Sequence, residues 1–220
     1  MSDKETIAIL GGTGDLGTGL AIRWSKAGYK IVIGSRTIEK AQTAVAALQQ
    51  ISPDTPAQAM ENLEAAAAGD IVVLTVPADH QLSTLDYVKA NLTGKILIDV
   101  TVPLVPPKVG TVQLPPEGSA GKRAQDLLGE DVMVVTAYQN IAAHLLQQDV
   151  AIECDVLVAG NKKIARQKVI DLSKEAGMTA WHAGPIANSA AAEALTSILI
   201  QINRSGLLSH SGIKIIGQEH

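Results

Sequence analysis

The sequence predicts an α/β protein: a doubly wound parallel sheet followed by a small C-terminal α/β lobe. Three observations predict it: short β-branched runs apolar on both faces, helical stretches between them, and a glycine-rich turn directly after the first run. Strands apolar throughout must be covered on both sides, and a helical crossover after each makes neighbouring strands parallel. At 220 residues the chain fits one domain with an appendage and buries a sizeable core.

Each element has its own signal. Ile7-Ala8-Ile9-Leu10 reads as a buried strand, and the helix after it carries Leu16, Leu20 and Trp24 on one face. Gly28 suits the position just past that helix's end, where a left-handed residue closes the last turn. Lys30-Ile31-Val32-Ile33 is the second strand, and Ile38, Ala41, Val45 and Leu48 recur three and four apart on a second helix. Further strands are expected at residues 71–76, 96–99 and 132–135, with helices around 82–91 and 120–128 between them. Five of the nine prolines fall between Pro103 and Pro116, which marks a loop passing over the C-terminal edge of the sheet.

Beyond residue 150 the pattern changes scale. A strand is expected at 155–159, a helix at 162–176, a short strand at 178–182 and a long helix at 187–204 with Leu195, Ile198, Leu199 and Ile202 on its apolar side. The expected division is a sheet domain over residues 1–150 and a small lobe over residues 151–220.

Composition narrows the function classes. Lys and Arg number 18 against 22 Asp and Glu, a net charge of −4, so nothing draws the whole molecule to nucleic acid or an anionic membrane. One cysteine, Cys154, rules out an internal disulfide, a cysteine zinc cage and a CxxC redox pair. Aromatic residues are only 2%, so Ala, Val, Ile and Leu must build the core. The charged N-terminal residues Asp3, Lys4 and Glu5 do not form a targeting signal, and apolar runs such as residues 71–77 fall far short of the roughly 20 residues of a membrane span. A cytoplasmic protein is expected.

Gly12-Thr13-Gly14-Asp15-Leu16-Gly17 is G-x-G-x-x-G between an apolar strand and a helix, with a second strand about 15 residues on. This is the Rossmann-type dinucleotide turn: Gly12 permits the tight bend, Gly14 lets backbone approach a pyrophosphate, and Gly17 lets helix pack on strand. The helix N-terminus offers free N–H groups and partial positive charge to phosphates. A structural glycine turn without ligand is the competing reading.

The end of the second strand argues for NADP. An NAD site places Asp or Glu there to accept from the ribose hydroxyls. This chain has Gly34-Ser35-Arg36, with Lys40 one helical turn on. Arg pairs with phosphate in a forked geometry and Lys adds a point charge, although both also suit the solvated start of a surface helix beside Glu39. Thr75-Val76-Pro77 closes the third expected strand, where backbone runs along the inner half of a bound nucleotide.

Other chemistries find little support. Tyr29, Tyr87 and Tyr138 are followed four residues later by Ile33, Asn91 and Ala142, so the Tyr-x-x-x-Lys pair of short-chain dehydrogenases is absent. There is no G-x-x-x-x-G-K-[ST] and no G-x-S-x-G. His80, His144, His182, His210 and His220 show no metal-ligand spacing, and Lys162, Lys163, Arg166 and Lys168 read as the solvated face of a helix. No catalytic side chain and no metal site is assigned.

Taken together, these stretches resemble the NADP oxidoreductases that use the 8-hydroxy-5-deazaflavin coenzyme F420. The residues that carry the resemblance are Ile9-Leu10-Gly11-Gly12-Thr13-Gly14-Asp15-Leu16-Gly17, Gly34-Ser35-Arg36 with Lys40, and Leu74-Thr75-Val76-Pro77. Ala183-Gly184-Pro185 and Glu193-Ala194-Leu195-Thr196, running into Ile213-Lys214, extend it to the C-terminus. The resemblance implies an NADP-binding Rossmann domain over residues 1–150, with the lobe closing a hydride-transfer cleft. It implies NADP(H) contacts at Thr13, Gly14, Asp15, Leu16, Ser35, Arg36, Lys40, Ala78, Leu82 and Ala143, and the glycine turn and the end of the third strand add Gly12 and Thr75. It also implies F420 as co-substrate, facing Gln139, Asn140 and Ile141; Leu207 and Leu208, just past the long helix, are expected to form an apolar wall opposite. The chain departs from some members at Gln139, where they carry His, and at Ala142, where they carry Pro. An amide still hydrogen-bonds a ring carbonyl but does not change charge near neutral pH as His does. Gln139 and Asn140 also read as turn residues capping a helix.

The expected function is therefore reversible hydride transfer between NADP(H) and F420. The partners are small-molecule coenzymes, with neither nucleic acid nor membrane, and a homodimer is compatible with the sequence. Two other readings stand beside it: an NADP-dependent reductase of a small metabolite, and a non-catalytic NADP(H)-binding sensor module.

Overall fold

The computed structural model describes residues 4–218. His220 and Asp3 lie outside them. The chain opens with β1 (Thr6–Leu10), α1 (Asp15–Lys26), β2 (Lys30–Ser35) and α2 (Ile38–Ile51), followed by β3 (Ala57–Glu61), α3 (Asn62–Ala68), β4 (Ile71–Leu74) and α4 (Ala78–Val88). It continues through β5 (Ile96–Asp99), α5 (Ala120–Leu128), β6 (Met133–Thr136) and α6 (Ala143–Leu146). The last elements are β7 (Asp155–Gly160), α7 (Lys163–Glu175), β8 (Thr179–Gly184) and α8 (Ser189–Arg204).

All eight strands join one sheet in the order β3-β2-β1-β4-β5-β6-β7-β8. Every pairing is parallel except β6 with β7, where Val135 opposes Gly160. The chain runs outward from β1 to β3, then returns to lay β4 on the other side of β1, with Leu10 opposite both Gly34 and Leu74. That reversal opens a crevice at the C-terminal ends of β1 and β4, the place where such sheets receive ligands.

The alternation of side chains along each strand divides the core in two. Ile7, Ile9, Ile31, Ile33 and Val73 face α1 and α7, with Leu20, Trp24, Val169 and Leu172 packed against them. Ala8, Leu10, Val72, Leu74 and Leu97 face the other way, toward Leu85, Val88, Ala124 and Leu128 of α4 and α5. Trp24, fully buried, donates its indole N–H to the Leu172 carbonyl at 3.2 Å, which satisfies the ring's one polar atom. Gly28 takes φ +86° after α1, as expected of its position.

The structure adds what the sequence pattern did not announce. β3 and α3 fill residues 57–68, left blank by the periodicity. β3 is an edge strand only half buried, and α3 is mostly alanine, so neither offers contrast between apolar and polar positions. β4 stops at Leu74, short of the expected residue 76, because Thr75 turns to bond the Leu10 carbonyl through both N–H and Oγ1, each at 2.9 Å. α4 begins at Ala78, four residues earlier than expected, directly after Pro77, whose φ of −56° suits a helix entry. Residues 100–119 form the expected loop over the C-terminal edge. β7 and β8 continue the sheet past residue 150. Among the described residues no helix is long and apolar enough to cross a membrane.

Candidate functional site

At the crevice the three glycines of the motif have different reasons. A Cβ on Gly12 would come within 2.8 Å of the Ile9 carbonyl, and one on Gly17 within 2.8 Å of the Gly12 Cα, so the turn itself excludes side chains at both. Gly11 takes φ +69° and is held by its N–H donating to Asn62 Oδ1 at 3.3 Å. Gly14 is different. Its backbone is extended (φ −85°, ψ 167°), and a Cβ there would find its nearest neighbour, the Gly11 carbonyl, at 4.0 Å. The protein leaves open the space that a side chain at Gly14 would fill. Gly14 also caps α1 with no side-chain acceptor, and its own carbonyl takes the first helical bond, from Thr18 at 2.9 Å. The exposed residues Thr13 and Asp15, with the half-buried Leu16, surround this helix start.

The residues expected around the glycine turn come together from distant parts of the chain. Thr75 binds the end of β1, as above. Ala143 opens α6, which packs on α1 so closely that a Cβ on Gly19 would lie 3.3 Å from the Ala143 carbonyl. Gln147 donates to the Asp15 carbonyl at 2.9 Å, fastening the far end of the same segment to the first turn of α1.

The end of β2 opens into a second part of the crevice. Ser35 is buried and Arg36 exposed, and both line a hollow of about 310 Å³ with Glu61, Asn62, Ser83, Thr84 and Tyr87. Lys40 is exposed in the first turn of α2. Asn62, which holds Gly11 and lines this hollow, is the residue sequence reasoning missed. Its signal was an Asn opening an alanine-rich run, detectable only once that run is taken as a helix. Ala78 and Leu82 line a different hollow, of about 420 Å³, roofed by Leu104 and Leu114 of the proline-rich loop.

Gln139, Asn140 and Ile141 follow β6. Tyr138 before them sits at φ +71°, an uncommon conformation for a bulky residue. Surrounding contacts impose it: the buried ring meets Trp24 edge-on at 5.9 Å, and its hydroxyl shares a 2.8 Å hydrogen bond with Ser173. The reversal turns Gln139 back over β5, where its amide donates to the Asp99 carbonyl at 3.0 Å. Asn140 donates to the Ala192 carbonyl at 2.8 Å, and Thr196 donates to the Gln139 carbonyl at 2.9 Å. Gln139 Oε1 is buried without a partner. Gln139, Asn140 and Ile141 line a hollow of about 280 Å³ with Thr196, Asn203 and His210. Ile141 is largely packed into the core. Leu207, 86% exposed, stands over another hollow with Ile198, Ile202 and Leu208, so the structure does not bring it to Gln139.

Beneath this segment lies a buried polar cluster. Asp99 accepts from the Thr101 N–H at 2.9 Å and from Gln81 Nε2 at 2.5 Å, and Gln81 Oε1 takes two bonds from Arg123 at 2.6 and 2.9 Å. Burial pushes the Asp99 carboxyl above the usual range despite these donors. Glu193 accepts from the N–H groups of Ala120 and Gly121 at 2.7 and 3.0 Å, and burial pushes its pKa up to about 7.

Residues 6–103 match a family described as NADP oxidoreductase, coenzyme F420-dependent. The chain is 39% identical to an F420-dependent NADP reductase of Methanocaldococcus jannaschii, covering 97% of this chain and 99% of that one. It is 37% identical to an F420-dependent NADP reductase of Methanothermobacter thermautotrophicus, over 95% of this chain and 94% of that one. Among solved structures, a candidate F420-dependent NADP-reductase from Arthrobacter sp. fb24 superposes with a TM-score of 0.81 at 27% identity, over 96% of this chain and 99% of that one. Similarity of this level from end to end, on a sheet whose switch point carries the dinucleotide turn, means that the chain belongs to the family of F420-dependent NADP reductases.

Proposed function

We propose that this protein transfers a hydride reversibly between NADP(H) and coenzyme F420. The observation that carries the reading is the similarity over nearly the full length to reductases of that name, joined to a glycine turn whose open side lies at Gly14. When bound, the two coenzymes supply the redox chemistry, a hydride passing between the nicotinamide ring and carbon 5 of the deazaflavin. The protein's part is to bind, orient and keep water out.

Thr13, Gly14, Asp15 and Leu16 would hold the pyrophosphate with backbone N–H groups at the start of α1. The fit rests on the empty space at Gly14 and on the helix start that no side chain caps. Ser35, Arg36 and Lys40 would take the adenosine 2′-phosphate, the cations opposing its charge. Thr75, Ala78, Leu82 and Ala143 would line the nucleotide's remaining length. Residues 1–150 would carry this site, and residues 151–220 would close over the second coenzyme. Gln139, Asn140 and Ile141 would face the deazaflavin, and the unpartnered, buried Gln139 Oε1 suits a ring N–H that donates.

Spectroscopy tests the reading. Protein mixed with NADPH and oxidised F420 should bleach the visible absorbance of the deazaflavin, and deuterium from the nicotinamide should arrive on carbon 5 without loss to solvent. A protein that binds NADPH but leaves F420 oxidised would overturn it.

A further inference from the structure

Glu193 is 1% exposed, and nothing in the functional reading uses it. It lies on α8, yet both its carboxylate oxygens are occupied by the first two N–H groups of α5, at 2.7 and 3.0 Å. One turn before it, Ser189 donates to Ser119, the residue that caps α5, at 2.7 Å. Immediately before Glu193, the Ala192 carbonyl receives the Asn140 amide, and three residues after it Thr196 donates to the Gln139 carbonyl. The same two turns of α8 thus grip α5 with one set of groups and the Gln139–Asn140 segment with another. A helix is rigid over two turns, so an anchor at Glu193 sets the height and rotation of Ala192 and Thr196. A carboxyl group whose two oxygens both accept from the first N–H groups of a helix is a directional anchor, because those donors have no partner within the helix.

We propose that Glu193 is a positioning residue for the second coenzyme: clamping α8 to the start of α5, it places Gln139 and Asn140 through Ala192 and Thr196. The inference rests on the assignment of Gln139 and Asn140 to F420, and its test separates the two. Glu193→Gln puts an amide N–H₂ against one of the two backbone donors, opening the clamp with almost no change of volume. Thr196→Val cuts the second link and leaves the clamp intact, so it decides the matter if Glu193→Gln does not fold.

In both variants the KM for oxidised F420 should rise about tenfold, while the Kd for NADPH stays within about twofold. A general loss of structure would move both together. Independently of activity, amide hydrogen exchange in the free protein should quicken at residues 138–142 and not at residues 6–36. Unchanged exchange at 138–142, or NADPH affinity falling in step with F420, would overturn the proposal. If the wild type fails to reduce F420, the proposed activity falls, and hydrogen exchange still decides whether the clamp exists.

Discussion

Gly17 faces Gly12 so closely that a Cβ on the first would lie 2.8 Å from the Cα of the second and 2.9 Å from Thr75 Oγ1. Helix α1 can approach the end of β1 only because neither residue has a side chain. At Gly14 no such neighbour exists within 4 Å apart from the Gly11 carbonyl at 4.0 Å. Gly12 and Gly17 serve the fold, and Gly14 leaves room for what arrives from outside.

That contrast predicts opposite outcomes. Gly17→Ala should lower stability by about 1–3 kcal/mol through overpacking. Gly14→Val should unfold at the same temperature as wild type and lose NADPH binding, since its extended backbone accepts a β-branched residue. Thermal unfolding and nucleotide titration on the two variants read both. A folded Gly14→Val protein with wild-type NADPH affinity would reduce the motif to architecture.

Cofactor preference should depend on Arg36. Arg36 shares a hollow with Ser35 and Asn62, and in the proposed site its guanidinium would pair with the 2′-phosphate. Arg36→Ala should cut the preference for NADPH over NADH by about 1–3 kcal/mol, the scale of a charge-assisted hydrogen bond. Titrating both nucleotides against wild type and variant measures it, and equal wild-type affinities would refute the NADP assignment.

Arg23 holds the segment that follows Gln139, Asn140 and Ile141. Its guanidinium donates to the carbonyls of Leu146, Leu145, Gln148 and Val150 at 2.7–3.1 Å. Those carbonyls lie at the end of α6 and just beyond it, where helical partners run out. Arg23→Ala should cost about 1.5–3 kcal/mol, the range for bonds to a charged group. A denaturation midpoint that does not move would show that solvent replaces the guanidinium.

Stability should fall as pH rises toward neutrality because of Glu193. Its carboxyl titrates near 4.5 ordinarily and near 7 in the fold, where burial disfavours the charge. Between those values the folded chain keeps a proton that the unfolded chain has lost. The stabilising contribution is therefore complete below 4.5 and is lost as pH passes 7, on the order of 3 kcal/mol in all. In Glu193→Gln the slope of unfolding free energy against pH across this window should shrink by one proton. Asp99, raised by the same burial, leaves a residual slope of the same sign.

What the sequence alone determined is what consecutive residues encode. The runs Ile7-Ala8-Ile9-Leu10 and Ile71-Val72-Val73-Leu74 declare buried strands. The spacing of Leu16, Leu20 and Trp24 declares a helix, and the glycines between declare a turn that must bend tightly and lie close. The doubly wound sheet and the nucleotide turn follow, because each depends on steric and hydrophobic rules that act within a few residues. The place of Ser35 and Arg36 at the end of β2 was legible for the same reason: a strand end is a fixed place in this fold.

Tertiary structure decided whatever depends on which distant segments meet. Half-buried edges and alanine helices carry little periodic contrast, so β3, α3 and with them Asn62 stayed silent. No local pattern says which sheet edge is free, so only the folded chain shows β7 antiparallel to β6. Glu193 reads in the sequence as one polar residue on a long helix. It becomes a buried anchor only because α8 crosses the start of α5, more than 70 residues earlier, where two backbone N–H groups without helical partners take both carboxyl oxygens.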